Sequence, residues 1–173
     1  MANSERVAKL ASWLWWVVAL LIYALPVIYF VIIVILVRAP DWPQAVFPEA
    51  RVEVRPDWIT TGLVIVLAIV VALPVLHMLI EMRSLFGNYR RGDILTESSA
   101  RHILGIGRAI LSLAVLKVVV PAIQLMLLTS GHVLSFSLND NFIVFTLAGG
   151  FLVTIGWAMR EAAELAEENR GFV

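Results

Sequence analysis

Three ionisable side chains lie within or beside long apolar runs: Lys117, His77 and Glu81. Lys117 belongs to the stretch LAVLKVVVPAIQL, residues 113–125, which is otherwise almost wholly apolar. His77 and Glu81 are four residues apart, so on a helix they share a face and could relay protons or contribute two metal ligands. A charge deep in an apolar run is costly and commonly functional. We therefore consider a polar cluster of Lys117, His77 and Glu81.

The alternative for Lys117 is structural. If its helix runs from the inside of a membrane to the outside, the side chain leans toward the inner surface, where the ammonium finds water or one structural partner. For His77 and Glu81, two ligands are too few for zinc and no His-Glu-x-x-His pattern occurs. The sequence also has no cysteine, no phosphate loop and no serine–histidine–aspartate set. We expect no enzymatic activity, no cofactor and no dedicated metal site.

The elements that position these side chains follow from composition. Of 173 residues, 61% are hydrophobic and 15% are charged, with a mean hydropathy of +0.91; a soluble domain has about 45–50% apolar and about 25% charged residues. Four apolar runs are long enough to cross a bilayer, which takes about 20 helical residues. They predict a single all-α membrane domain over 1–173, an antiparallel bundle with spans at about 13–37, 58–82, 109–128 and 142–159.

Basic residues predict the orientation. They concentrate in the N-terminus, the connection between the second and third spans and the tail, so the positive-inside rule places both termini in the cytoplasm. The basic residues assigned to the inner side are Arg6, Lys9, Arg83, Arg90, Arg91, Arg101, Arg108, Arg160 and Arg170, and those assigned to the outer side are Arg38, Arg51 and Arg55. The formal net charge is +0, so no global basic field favours nucleic-acid binding.

Both faces outside the bilayer carry predicted structure. On the outer side, residues 51–55 and 132–138 alternate in polarity and predict a short β cap, with irregular loop as the alternative. On the inner side, helices two to four are expected to extend into the cytoplasm as a hairpin (residues 83–108, ending and restarting at Gly92 and Thr96) and a tail (residues 160–173). The hairpin is basic and the tail acidic, so they could dock; the alternative is two solvated faces. The docking candidates are Arg90, Arg91, Arg101, Glu161, Glu164 and Glu168.

Small residues recur every fourth position along the fourth span. We call this row, Thr146, Gly150, Thr154, Ala158 and Ala162, the small-residue ridge; it continues to Ala166. Small side chains let another helix approach closely. The ridge predicts packing within the bundle, or against a partner helix or a second copy of the chain.

The first three spans each contain a proline, namely Pro26, Pro74 and Pro121. Each removes a backbone donor and kinks its helix. Neighbouring groups in a membrane protein can satisfy the freed carbonyls. The prolines are either static kinks or hinges of a transporter.

Three segments together resemble one family. They are LFGNYRRGDILT (residues 85–96), residues 101–107, and MREAAELAEENRGFV (residues 159–173). The chain resembles the small four-helix bacterial membrane proteins known as domain of unknown function 2975. The family position occupied here by Leu95 is often aromatic. The resemblance implies a four-span inner-membrane fold with no established activity, and a pairing with small helix-turn-helix regulators encoded beside such proteins.

Three functions follow as hypotheses. The first is a regulatory or accessory subunit that binds a protein partner (a regulator, a larger membrane complex or a second copy) through the hairpin, the tail or the ridge. The second is a small oligomeric transporter or channel that uses Lys117 and the kinked helices. The third, a membrane-embedded enzyme, lacks a catalytic constellation. We expect the bacterial inner membrane as the location, the lipid bilayer as a partner and no direct nucleic-acid contact.

Overall fold

The computed structural model describes residues 2–39, 41–47, 57–129 and 140–170. In this part of the chain every regular element is a helix: α1 Ala2–Arg38, α2 Trp42–Val46, α3 Trp58–Arg91, α4 Glu97–Leu128 and α5 Asp140–Arg170. Four of them, α1, α3, α4 and α5, are long and apolar enough to cross a membrane. They contain the four predicted spans, so the all-helical, multi-pass class is confirmed. The two segments of the predicted β cap lie outside the described residues.

The sequence Pro-Asp-Trp occurs twice, and each time a helix begins at its tryptophan: α2 at Trp42 and α3 at Trp58. Asp57 caps α3 by accepting a hydrogen bond from the Thr60 backbone N–H at 3.2 Å. Hydrogen bonds from the side chain and the backbone of Thr60 lower the pKa of the Asp57 carboxyl. Asp41 stands at the same position before the short helix α2, but its side chain makes no capping bond. The short helix α2 was not predicted from the sequence, because its single turn carries no periodic signal.

The predicted stop and restart of the hairpin are confirmed. Gly92 ends α3 in the left-handed conformation, with φ at 88°, where a side chain would be strained. Thr96 then caps α4 by accepting from the Ser99 backbone N–H at 3.2 Å. Ser99 is fully buried and donates to the Asp93 carbonyl at 2.7 Å. The buried Asn88 amide donates to Ser98 and Ser99 across the turn, so polar contacts fix this end of the hairpin.

The long helices pack mainly on their neighbours in chain order: α1 on α3, α3 on α4, and α4 on α5. α4 supplies most of the buried residues, which makes it the centre of the described structure. One core cluster forms around Trp42, Val64 and Leu128. A second forms around Leu85, Ile103 and Ile106, with side chains of α5 such as Ile155 packed against it. Two separate clusters therefore hold α3 to α4 near opposite ends.

Glycines bring α4 and α5 close together. A Cβ built on Gly107 would come within 2.9 Å of the Gly149 carbonyl oxygen, and one on Gly149 within 3.0 Å of the Gly107 carbonyl oxygen. A Cβ on Gly156 would lie 2.6 Å from Cγ of Leu104. These distances leave no room for a methyl group, so the contact depends on glycine at each position.

Large apolar side chains remain exposed on the outer surfaces of the helices, notably on α1, α3 and α5. Examples are Phe30, Leu73 and Leu147. A soluble protein rarely exposes so continuous an apolar surface, whereas lipid tails cover it without cost. Exposure of this kind agrees with the membrane class inferred from helix length.

Candidate functional site

His77 and Glu81 come together with a third side chain, His102 of α4. Glu81 Oε2 accepts a hydrogen bond from His102 Nδ1 at 2.7 Å, and Glu81 Oε1 lies 3.7 Å from His77 Nε2. The side chains of Glu81 and His102 are 21% and 24% exposed, whereas that of His77 is 56% exposed. The carboxylate therefore joins α3 to α4, with His77 at the edge.

A glycine makes room for this contact. A Cβ built on Gly105, one turn below His102 on α4, would come within 2.8 Å of Glu81 Cδ. Glu81 can therefore lie flat against α4 only because residue 105 has no side chain. We name His102, Glu81 and His77, with Gly105 beneath them, the carboxylate–histidine site.

Sequence reasoning missed His102, because the Glu81–His102 contact is not symmetric about the turn between α3 and α4. α3 and α4 are joined by the short segment 92–96 and pack against each other. Asn88 meets Ser99, Glu81 meets His102, and the Gln124 amide donates to the Val64 carbonyl at 2.9 Å. Glu81 lies 11 residues before Gly92 whereas His102 lies six residues after Thr96, so counting outward from the turn would have placed residue 107, not His102, beside Glu81.

Lys117 lies elsewhere. On α4 it lies between the Glu81–His102 and Val64–Gln124 contacts, which puts it opposite residues near Ala68 of α3. That position is about 13 Å along α3 from His77 at 1.5 Å per residue. Its ammonium nitrogen is 5.1 Å from the ring centroid of Phe145 on α5, a cation–π contact. The structure therefore brings His77 and Glu81 together and gives Lys117 a different neighbour.

A largely apolar cavity of about 400 Å³ opens beside Lys117. Tyr29 and Trp42 line it from α1 and α2, and Pro121 and Gln124 line it from α4. Gln124 is buried and its amide nitrogen is satisfied by the Val64 carbonyl. The cavity offers the lysine as its cationic group.

The small-residue ridge lies on an open face of α5. Thr146, Thr154, Ala158 and Ala162 are exposed, and a Cβ built on Gly150 would meet nothing within 4 Å. The face of α5 that packs against α4 is instead formed by Gly149, Gly156 and Ala163, seven residues apart. In the described structure the ridge thus remains available to another molecule.

The charged docking candidates do not pair with one another among the described residues. Arg91 donates to Asn88 Oδ1 at 2.6 Å and lies 3.6 Å from Asp93, while Arg101 donates to Glu97 at 3.1 Å. Arg90 stacks on Trp15 of α1, and Glu164 pairs with Arg160 on α5. Glu161 and Glu168 are exposed. Across the described residues, no ion pair joins the hairpin to the tail; α5 meets the hairpin through apolar side chains such as Met159.

A metal site needs several ligands placed together. Within the described ranges, no group of three or more histidine, aspartate or glutamate side chains is placed to hold a metal ion.

Four long apolar helices, joined in part by a polar hairpin turn, define a small multi-pass membrane protein. The chain belongs to the family described as Protein of unknown function (DUF2975), whose model matches residues 37–170. This confirms the resemblance drawn from the hairpin and tail sequences. No curated protein and no solved structure matches the chain.

Proposed function

We propose that this chain is a non-enzymatic regulatory or accessory membrane protein that holds a protein partner at its cytoplasmic face. The supporting observation is an apolar groove of about 340 Å³ between the hairpin and α5. We call it the tail groove; it is lined by Leu95, Ile155, Ala158, Met159, Ala162, Ala163 and Ala166.

The tail groove combines two features that suit a helical partner. Leu95 is 78% exposed, so an apolar side chain stands uncovered beside the groove. Ala158 and Ala162 belong to the small-residue ridge, and small side chains allow close approach of a second helix. An amphipathic helix that inserts its apolar face here would remove this surface from water.

Charged residues support the assignment of the groove to the aqueous side. Arg160, Glu161 and Glu164 surround the same turns of α5, and such a density of charge is incompatible with the bilayer interior. Together with the basic residues of the hairpin, they support an antiparallel four-helix arrangement in the bacterial inner membrane with both termini in the cytoplasm.

Site-specific photocrosslinking in native membranes tests this function. With benzoylphenylalanine at Ala162, inside the groove, we expect one protein adduct of defined mass; at Glu168, exposed on the same helix, we expect none. Leu95→Glu should abolish the Ala162 adduct without lowering the amount of protein in the membrane, because it places a charge beside the apolar surface. Equal adducts at both positions, or an Ala162 adduct insensitive to Leu95→Glu, would rule out the groove as the binding surface.

A transporter or channel is the second candidate, and the cavity beside Lys117 favours it. Pro121 and Lys117 both line this cavity, so a kink and a charge lie at one place in α4. Proton flux into liposomes, followed with an internal pH dye, would have to occur with the unaltered protein and fall to background with Lys117→Met. Absence of flux through the unaltered protein would eliminate this candidate for protons.

A further inference from the structure

Two arginines of α3 converge on one tryptophan of α1. The guanidinium carbon of Arg83 lies 4.6 Å from the Trp15 ring centroid, and that of Arg90 lies 5.1 Å from the same centroid. Between them on α3 is Gly87, where a Cβ would be 3.8 Å from the indole nitrogen. We call Trp15, Arg83 and Arg90 the arginine–tryptophan site.

The direction of the side chains places this site at the edge of the bilayer. Arg83 follows the predicted second span directly, and Trp15 lies near the corresponding end of the first. Helical side chains tilt toward the helix N-terminus, and α3 has its membrane-spanning part on the N-terminal side of both arginines. Both guanidinium groups therefore lean back toward the headgroup layer, the depth at which tryptophan is also enriched.

Among the described residues, the two positive charges have no counter-charge beside them. In the described part of the chain, no carboxylate lies within ion-pair distance of Arg83 or Arg90. Their guanidinium carbons are no more than about 10 Å apart, because both lie within 5.1 Å of one centroid. This separation is comparable to the screening length of roughly 10 Å at 0.1 M salt, so the charges repel each other unless an anion lies nearby.

The guanidinium groups of Arg83 and Arg90 have no hydrogen-bond acceptor among the described residues. A guanidinium that lies over an aromatic ring uses its face, while its N–H donors project from its edge in a fork that fits phosphate oxygens. Arg91 and Arg101, by contrast, direct donors to Asn88 and Glu97. Arg91 and Arg101 are thus hydrogen-bonded to polar partners, whereas the donors of Arg83 and Arg90 can bind an anion.

We propose that the arginine–tryptophan site binds the phosphodiester headgroup of an anionic phospholipid. Arg83 and Arg90 donate to the phosphate oxygens, and Trp15 holds both guanidinium groups at headgroup depth. The bound lipid supplies the counter-charge that the described residues lack and ties α1 to α3. This site is independent of the tail groove and of the partner proposed to bind there.

Native mass spectrometry of the full chain released from detergent micelles tests the proposal, with dioleoylphosphatidylglycerol as probe and dioleoylphosphatidylcholine as the neutral comparison. Arg83→Gln with Arg90→Gln should weaken phosphatidylglycerol binding roughly 30-fold, the effect expected for two arginines at an anionic surface. The matched control, Arg91→Gln with Arg101→Gln, removes the same charge from the same hairpin and should change binding less than about 3-fold. Trp15→Leu leaves the charge unchanged and should nevertheless weaken binding, because the stacking platform is lost.

Three results would overturn the site. Equal losses in the two double variants would mean diffuse attraction by the hairpin charge. Equal retention of phosphatidylglycerol and phosphatidylcholine by the unaltered protein would mean that the headgroup charge is not recognised. Displacement of the lipid by an equal concentration of inorganic phosphate would mean that the ligand is free phosphate. Thermal unfolding of each variant in the same detergent, unchanged within a few degrees, ensures that the comparison is between folded proteins.

Discussion

Glu81 shows how a single residue depends on the size of its neighbour. Its carboxylate reaches His102 across a gap that exists because residue 105 is glycine. The nearest atoms to a Cβ at this position belong to the end of the Glu81 side chain, which is flexible. A methyl group there would therefore displace Glu81 and cost the bond to His102, while the backbones of the two helices could stay in place.

This geometry predicts a coupling between residues 81 and 105. Gly105→Ala should lower the free energy of unfolding by about 1–3 kcal/mol, the range for overpacking. In a Glu81→Ala background the same change should be nearly neutral, because the space is then empty. Unfolding in mixed micelles, measured by circular dichroism for the four variants of the cycle, gives the coupling energy.

Gly62 offers the matched control for this cycle. A Cβ at residue 62 of α3 would meet nothing within 4 Å, so Gly62→Ala should not destabilise the protein. If Gly105→Ala proved equally harmless, or equally harmful with and without Glu81, then Glu81 would not occupy the space beside residue 105.

For these residues, the sequence predicted the contact within one helix but not the contacts between helices. The spacing of His77 and Glu81 indicated their shared face, since it needs only helical periodicity. His102 lies on another helix, so its contact depended on the register of the hairpin. Lys117 was assigned to the polar cluster with His77 and Glu81 because of its predicted depth in the membrane. Depth does not determine the side of α4 from which the lysine projects. Its neighbour Phe145 is set by the packing of α5.

At the scale of elements, α5 has two faces of small residues with different periods. The ridge repeats every four residues, so with 100° per residue it turns by about 40° at each step and winds around the helix. Gly149, Gly156 and Ala163 repeat every seven residues and drift only about 20° per step, so they stay aligned with a straight neighbour. The four-residue repeat of small side chains is present in the sequence, but the face of α5 that packs on α4 follows the seven-residue repeat.

The adjacent residues Gly149 and Gly150 should therefore respond differently to replacement by alanine. Gly149→Ala would place a Cβ 2.8 Å from Leu111 Cγ and 3.0 Å from the Gly107 carbonyl, so the helices must separate, at a cost of about 1–3 kcal/mol. Gly150→Ala meets open space and, because alanine favours a helix over glycine, should leave the free energy of unfolding unchanged or raise it by up to about 1 kcal/mol. Parallel unfolding of the two variants in one detergent measures the difference, and equal stability would contradict the placement of α5 on α4.

The ends of the elements were the most predictable feature of the fold. Gly92 and Thr96 were identified as a stop and a start because glycine tolerates a left-handed backbone and threonine accepts from a free N–H. The short helix α2 escaped prediction because it spans one turn, and the region proposed as a β cap cannot be judged from the described residues. Local chemistry fixes helix termini, whereas single turns depend on contacts such as those of Trp42 with Val64 and Leu128.

For the whole molecule, the described residues form a row of helices in which α4 is most enclosed. α1 packs on α3 and α5 packs on α4, and both leave much of their apolar surface exposed. Composition alone indicated that lipid covers this surface. It did not indicate that the tail groove and the arginine–tryptophan site both lie where the hairpin meets an outer helix.

The orientation of these helices in the membrane decides whether the tail groove or the arginine–tryptophan site can face the cytoplasm. Because the chain contains no cysteine, cysteines introduced one at a time can report this orientation directly. Single cysteines at the two ends of α5, Asn141→Cys and Glu168→Cys, lie at exposed positions. Since most basic residues are assigned to the inner side, we expect a membrane-impermeant maleimide to label residue 141 in intact spheroplasts and residue 168 only after permeabilisation. The reverse order would place the hairpin outside the cell, leaving the tail groove without access to a cytoplasmic regulator, while equal labelling before permeabilisation would mean that α5 does not cross the membrane.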